Sequence, residues 1–305
     1  MKGVAAWLVA RPQNAVVVLA ATIAFGTVPP LAHFAALSGI VLIMLVLHEG
    51  VRTAVVKVVF AGIVAAGAGL LVGVAPVLVA GAAASVWLPS LLLSVLLVTT
   101  RSLTLTLQLS VIIAVSVMLA FFVAVGNPAE FWLMILDPMI EVWREVGQDE
   151  LADLVEPQKE TFAAYATMVA VMASWILQAS SLVLGYALYK QLPEETANYG
   201  RFQDLSFGRV IALTMAVASV ASMVVDAVWL QSLAFVLFAA FFLQGLAVVH
   251  WMYARGVLQL FGLVATYALM LIAGWFVLPA LAIFGYTDAW FDFRRTLRQR
   301  LDKQD

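Results

Sequence analysis

Three histidines and a small set of carboxylates hold most of the proton and metal chemistry open to this chain, and their spacing limits it. His48–Glu49 opens like H-E-x-x-H, the helical zinc-protease motif in which two histidines one turn apart hold the metal and the glutamate acts as base. Arg52 stands where the second histidine would be. His33, just past Pro29–Pro30, lies about a membrane thickness from His48 on a continuous helix, too far to share an ion. The pair Ser180–Ser181 has no histidine on a neighbouring turn, and no G-x-S-x-G occurs. Mid-helix serines more often bond back to the preceding turn. There is no cysteine, hence no disulfide, thiolate nucleophile or Cys-based metal site. No phosphate-binding loop or dinucleotide fingerprint is present. No enzyme, metal or cofactor is expected, and nothing points to nucleic acid.

Two other groups of residues could make contacts of functional interest. Gly285-Tyr286-Thr287-Asp288-Ala289-Trp290-Phe291-Asp292-Phe293-Arg294-Arg295 is denser in polar and aromatic side chains than any other stretch. Aromatic rings favour the membrane interface, and the following arginines attract anionic lipid. A membrane-exit anchor accounts for the stretch, and Asp288 or Asp292 pairing with Arg294 or Arg295 is a further option. Trp87, Trp175, Trp229 and Gln231 are candidates to line a ligand pocket in the outer half of the bundle. Each has an alternative as interface anchor or ordinary packing.

These residues sit in a chain that is 64% apolar and 11% charged, with mean hydropathy +1.04. An ordinary soluble domain is about 25% charged. The 43 residues from Val58 to Thr100 hold no ionisable acid, base or histidine. A crossing takes about 20 apolar residues, and in lipid each backbone N–H and C=O must be satisfied within the segment, which leaves helices. The expected fold is all-α, a polytopic transmembrane helical bundle of about 8–10 spans with an extracytoplasmic amphipathic segment. Helices are predicted over 14–28, 31–48, 53–74, 77–99, 103–126, 161–190, 207–226 and 229–252. A short amphipathic segment precedes the first, read as retained rather than as a cleaved signal. The run 257–293 is too long for one straight helix and has Gly274 and Pro279 in its middle.

Basic residues mark the cytoplasmic side. Arg52 and Lys57, Arg101, then Lys190, Arg201 and Arg209, and then Arg255 fall in alternate turns. The one large loop on the other side, 127–160, holds nine carboxylates against Arg144 and Lys159. This places the N-terminus inside. Keeping Arg294, Arg295, Arg298, Arg300 and Lys303 inside as well requires a hairpin, roughly 257–273 and 275–292. The other option is one tilted helix with the tail outside. The chain thus divides into an N-terminal membrane bundle (1–126), the acidic segment (127–160), a C-terminal bundle (161–293) and a basic tail (294–305). Within 127–160, Phe131, Trp132, Ile135, Met139, Ile140, Trp143 and Val146 recur at helical spacing, as in a helix lying at the interface.

Ala61, Ala65, Gly69 and Gly73 fall every fourth residue, a small-residue stripe that allows close helix approach. Ala80 and Ala84 extend it into the next helix. The stripe serves either packing within the bundle or docking of another membrane subunit. Asp226 lies between two helices near the outer surface, in keeping with a helix-end role.

Gln244-Gly245-Leu246-Ala247-Val248 with His250, followed by an apolar run closing on Gly285, Asp288 and Phe291-Asp292-Phe293-Arg294, resembles the YybS-like bacterial membrane proteins of the DUF2232 group. The acidic stretch Gln148 to Glu156 is similar too, and the likeness extends over nearly the whole chain. That group has no assigned activity or catalytic residues. It is distantly similar to the S components of energy-coupling-factor vitamin transporters, from whose usual six spans this chain departs. The resemblance implies a non-enzymatic protein of the bacterial inner membrane, a transport component binding a small solute. The alternative is a membrane scaffold or assembly factor acting through helix contacts and its basic C-terminal tail.

Overall fold

The computed structural model describes residues 2–194 and 196–301, so Lys303 and the end of the basic tail lie outside the described residues. Among these, every regular element is helical: α1 (Lys2–Ala10), α2 (Pro12–Gly26), α3 (Ala35–Glu49), α4 (Val51–Leu71), α5 (Pro76–Thr100), α6 (Leu103–Val125), α7 (Pro128–Glu145), α8 (Asp149–Val155), α9 (Lys159–Tyr189), α10 (Gly208–Val224), α11 (Val228–Ala254), α12 (Leu260–Phe291) and α13 (Phe293–Leu301). Six are long and apolar enough to cross a membrane, or seven if the bent pair α1 and α2 forms one span. The expected 8–10 counted α3 and α10 as full spans. They are apolar but shorter, and the 15 and 17 residues they contain reach only about 22 and 25 Å, short of a ~30 Å hydrocarbon core.

Contacts group the chain into two units that interleave along the sequence: residues 1–107 with 176–201, and residues 108–175 with 202–305. They therefore cut across the linear division into 1–126 and 161–293.

In the first unit α3 is the central helix, with Leu42, Ile43, Met44 and Leu45 fully buried. A helix that is apolar all round needs neighbours on every side, and α2, α4 and α5 pack against it. Arg11 is extended (φ −144°) before Pro12, because proline disfavours the helical region for the residue ahead of it. The chain bends there by 108°. A short helix, α1, thus precedes α2 where the sequence placed an amphipathic segment, but it is apolar on its exposed side as well, with Val4 and Trp7 exposed. Ala61, Ala65 and Gly69 are buried on α4, and a Cβ on Gly69 would lie 2.9 Å from Val79 Cγ2. Ala61, Ala65 and Gly69 thus lie on the packed face of α4, with Gly69 against α5. Gly73 does not belong to that face: α4 ends at Leu71, and Gly73 turns the chain at φ +80° with open space around it. Ala80 and Ala84 are exposed, and the buried row of α5 is Val79, Ala83, Val86 and Trp87. The i+4 spacing continued by one residue beyond the helix and one residue out of phase across the turn.

In the second unit α11 is the central helix, 83% of its apolar window being buried against 17% for α12. The amphipathic helix expected in 127–160 is α7. Trp132 Nε1 donates to Thr167 Oγ1 at 2.8 Å, and Ile140 is buried. Ile135, Met139, Val142 and Val146 form an exposed apolar row. Arg144 pairs with Glu156 and Asp153, and Lys159 with Asp137 at 2.7 Å. The Glu156 carboxylate raises the Arg144 guanidinium above its ordinary pKa.

The last apolar run is bent. Ala273 leaves helical geometry (φ −132°, ψ 38°) inside α12. Leu258 N bonds to Met252 O at 3.1 Å, which fixes the start of α12 beside Met252. Gly285 touches Gly245, only seven residues from Met252 on α11. A straight helix from Leu260 to Gly285 would cover about 37 Å, whereas Met252 and Gly245 are about 10 Å apart along their axis. α12 is therefore sharply kinked at Ala273, beside Gly274, between the segments 260–272 and 274–291.

Candidate functional site

The family-like residues meet at one corner of the second unit. At Gly245 a Cβ would run into the Leu281 carbonyl, and at Gly285 into the Phe241 carbonyl. Only two glycines let the backbones of α11 and the later segment of α12 touch in this way. That contact brings Gln244, wholly buried, beside Asp288, 3% exposed. Asp288 Oδ2 accepts from Gln244 Nε2 at 2.9 Å and from Arg294 Nη2 at 2.7 Å. Arg294, also buried, donates from Nη1 to the Gln203 carbonyl at 2.9 Å. Gln244 Oε1 accepts the Phe207 N–H at 2.7 Å. Asp288 Oδ1 is buried and has no protein partner.

Asp292 makes the corner. It adopts the left-handed conformation (φ 46°) that closes α12, and its Oδ1 accepts the Arg295 N–H at the start of α13. Asparagine and aspartate tolerate this conformation because their short side chains bond locally. Of the pairings open in the sequence, Asp288 with Arg294 is the one formed. Two large terms compete here. Desolvating two ions costs several kcal/mol each, offset only where geometry is good and the remaining hydrogen bonds are made. Gln244 and the Gln203 carbonyl supply part of that set, and Asp288 Oδ1 is left without a protein partner. The group is a mechanical brace joining α11, the 202–207 segment, α12 and α13.

His250 stands apart from the brace. Its Nδ1 lies 2.9 Å from the Leu246 carbonyl and its Nε2 3.2 Å from Tyr267 Oη. A carbonyl can only accept, so Nδ1 is a donor in this contact. Among the described residues no group of three or more His, Asp or Glu is placed to hold a metal ion. His48 Nδ1 lies 3.9 Å from Glu194 Oε2, and Lys57 Nζ lies 2.6 Å from Glu49 Oε2.

The four pocket candidates are divided between the two units. Trp87 belongs to the first unit, where its Nε1 donates to Ser38 Oγ at 3.1 Å. In the second unit, Trp175 donates to Ser110 Oγ at 2.9 Å and packs on Phe207. Trp229 is exposed. Gln231 Oε1 accepts from Tyr165 Oη at 2.8 Å, and its Nε2 lies 3.4 Å from exposed Asp226. Gln231 alone lines a cavity of about 300 Å³ between α10 and α11, with Ser219, Ser222 and Phe235.

One polar group went unread in the sequence. Pro89, inside α5, has no N–H for the Ser85 carbonyl. Gln178 Nε2 reaches that carbonyl at 3.4 Å, and Gln178 Oε1 accepts from Ser90 Oγ at 3.1 Å. A proline in one apolar helix and a glutamine in another were the signal, since a freed carbonyl in a membrane needs a donor.

No known protein family matches the chain, and no curated protein or solved structure shows detectable similarity to it.

Proposed function

We propose that the chain is a non-enzymatic, multi-pass protein of the bacterial inner membrane, with both termini cytoplasmic. In this reading it is a scaffold or assembly factor that presents the helix α13 to partners at the membrane face. The observation carrying it is the buried Asp288–Arg294 pair. A simple exit anchor has no need of a desolvated ion pair, whereas a presented helix must be held in one orientation. The YybS-like resemblance belongs to this proposal, since Gln244, Gly245, Gly285, Asp288, Asp292 and Arg294 are the residues of the brace.

The small-solute-binding reading keeps one specific support, the cavity beside Gln231, whose volume is at the low end of the ~300–1,000 Å³ of ligand pockets. Native mass spectrometry of the protein gently extracted from its host membrane separates the two. A co-purifying membrane protein, released by Arg294→Ala, supports the scaffold. A reproducible adduct of small-molecule mass on a chain without partners moves the reading to the transport component. A bare chain overturns both. Orientation is tested with a cysteine added after Asp305, unique in a chain that has none. Labelling of intact cells by an impermeant thiol reagent would place that end outside.

A further inference from the structure

The outer side of the braced corner combines charge and exposed aromatic surface in a way the brace itself does not use. Residues 293–303 contain Arg294, Arg295, Arg298, Arg300 and Lys303 against the single carboxylate of Asp302. Arg294 is spent on Asp288, and Asp292 on capping α13. Arg295 is exposed, and so is Arg209, which reaches the same corner through the Trp290 carbonyl at 3.5 Å. Next to them Phe291 is 68% exposed and stacks on Phe293, which stacks in turn on Phe284. Along α13, Phe293, Leu297 and Leu301 recur at i, i+4 and i+8. An apolar row flanked by arginines is the pattern of a helix lying in the headgroup region. The acidic region of the same unit differs, since Arg144 and Lys159 there are consumed by neighbouring carboxylates.

We propose that α13 and the Phe291 corner form a binding surface for the headgroups of anionic phospholipids. Arginine forks contact the phosphates and the phenyl rings enter the acyl boundary. The Asp288–Arg294 brace sets the angle at which α13 meets that surface. This inference rests on the reading of α13 as the presented element and names its partner.

The test uses the full chain in nanodiscs of phosphatidylcholine alone or mixed with phosphatidylglycerol. An environment-sensitive label is placed on Leu297→Cys, the sole cysteine. The label should become lipid-buried, by quenching from labelled lipid, in the anionic discs and much less so in the zwitterionic ones. Raised salt should reverse this. Arg295→Gln, Arg298→Gln and Arg300→Gln together should lower the bound-to-free ratio at least roughly tenfold. Equal burial in both lipids, or a triple variant that behaves like the parent, overturns the proposal. Native mass spectra provide a second measure. Phosphatidylglycerol should be retained over phosphatidylcholine by the parent chain and not by the triple variant, and equal retention of the two lipids by the parent overturns it. Should lipid selectivity persist while no partner protein co-purifies, the scaffold reading fails alone. A partner that stays bound to a chain with no lipid preference sinks this inference and leaves the scaffold.

Discussion

Both units bury neutral polar side chains, and they differ in the ion pair each holds. In the first, the most deeply buried set is neutral and the Lys57–Glu49 pair is partly exposed. Trp87 bonds to Ser38, Ser38 to the Ala35 carbonyl, Ser90 to Gln178, and Ser94 to the Ser90 carbonyl. In the second, the set is charged, with Gln244, Asp288 and Arg294 sharing one carboxylate oxygen. A neutral interhelical bond in a membrane protein is worth about 0.6 kcal/mol on average and at most about 1.7. Removing one partner of a buried ion pair costs about 3–5 kcal/mol. The first unit can therefore lose a polar contact and adjust, whereas the second is held in one arrangement or fails. That contrast suits a bundle whose C-terminal corner must keep a helix in place.

The largest effect should come from the glycine contact that makes the charged set possible. Gly245→Leu or Gly285→Leu inserts side-chain atoms where the facing backbone already lies. Overpacking a tight core costs about 1–3 kcal/mol, occasionally more, and backbone cannot yield as a side chain can. No folded protein should elute from size-exclusion chromatography. A monodisperse peak with a normal melting temperature would mean that the two helices can separate without loss.

Next comes the pair itself. Arg294→Met should destabilise by about 3–5 kcal/mol because it strands Asp288 without its cation. Adding Asp288→Leu should recover most of that loss, read from thermal melts by tryptophan fluorescence. The comparison breaks if the double variant is as unstable as the single one, since the cost would then lie in shape rather than charge.

How much of this was legible in the sequence differed between the two sets for a physical reason. The helices were readable because apolar length and charge gaps are local properties, and the kink at Ala273 lies beside Gly274, which the sequence singled out. The residues Gln244, Gly245, Gly285, Asp288, Asp292 and Arg294 stood out as rare types in apolar surroundings. Their meeting did not, because Asp288 and Gln244 are 44 positions apart and are brought together by a kinked helix. Gly73 was misplaced because a stripe of period four carries no mark of where its helix ends. The polar partners of the tryptophans were hidden for a related reason. Trp87 and Trp175 do have polar partners, but these are serines 49 and 65 positions away on other segments.

The neutral set should respond more weakly. Gln178→Leu leaves the Ser85 carbonyl, freed by Pro89, without its donor and removes the acceptor of Ser90. A stability loss of about 1–2 kcal/mol is expected, near the upper end for such bonds. Restoring the backbone donor by Pro89→Ala in the same chain should return part of it, because the new backbone N–H can then bond to the Ser85 carbonyl. Equal losses with and without proline would show that Gln178 serves Ser90 alone.

The smallest effect sharpens the contrast most. Trp87→Phe keeps most of the ring in its buried place and removes only the N–H that Ser38 accepts. Ser38 Oγ still donates to the Ala35 carbonyl, so no buried donor is left without a partner. The expected loss is about 0.6 kcal/mol from the bond plus a small packing term, a shift of a few degrees at most in a thermal melt. A loss as large as that of Arg294→Met would end the distinction between the sets, since the neutral cluster would then be holding its unit as rigidly as the ion pair holds the corner.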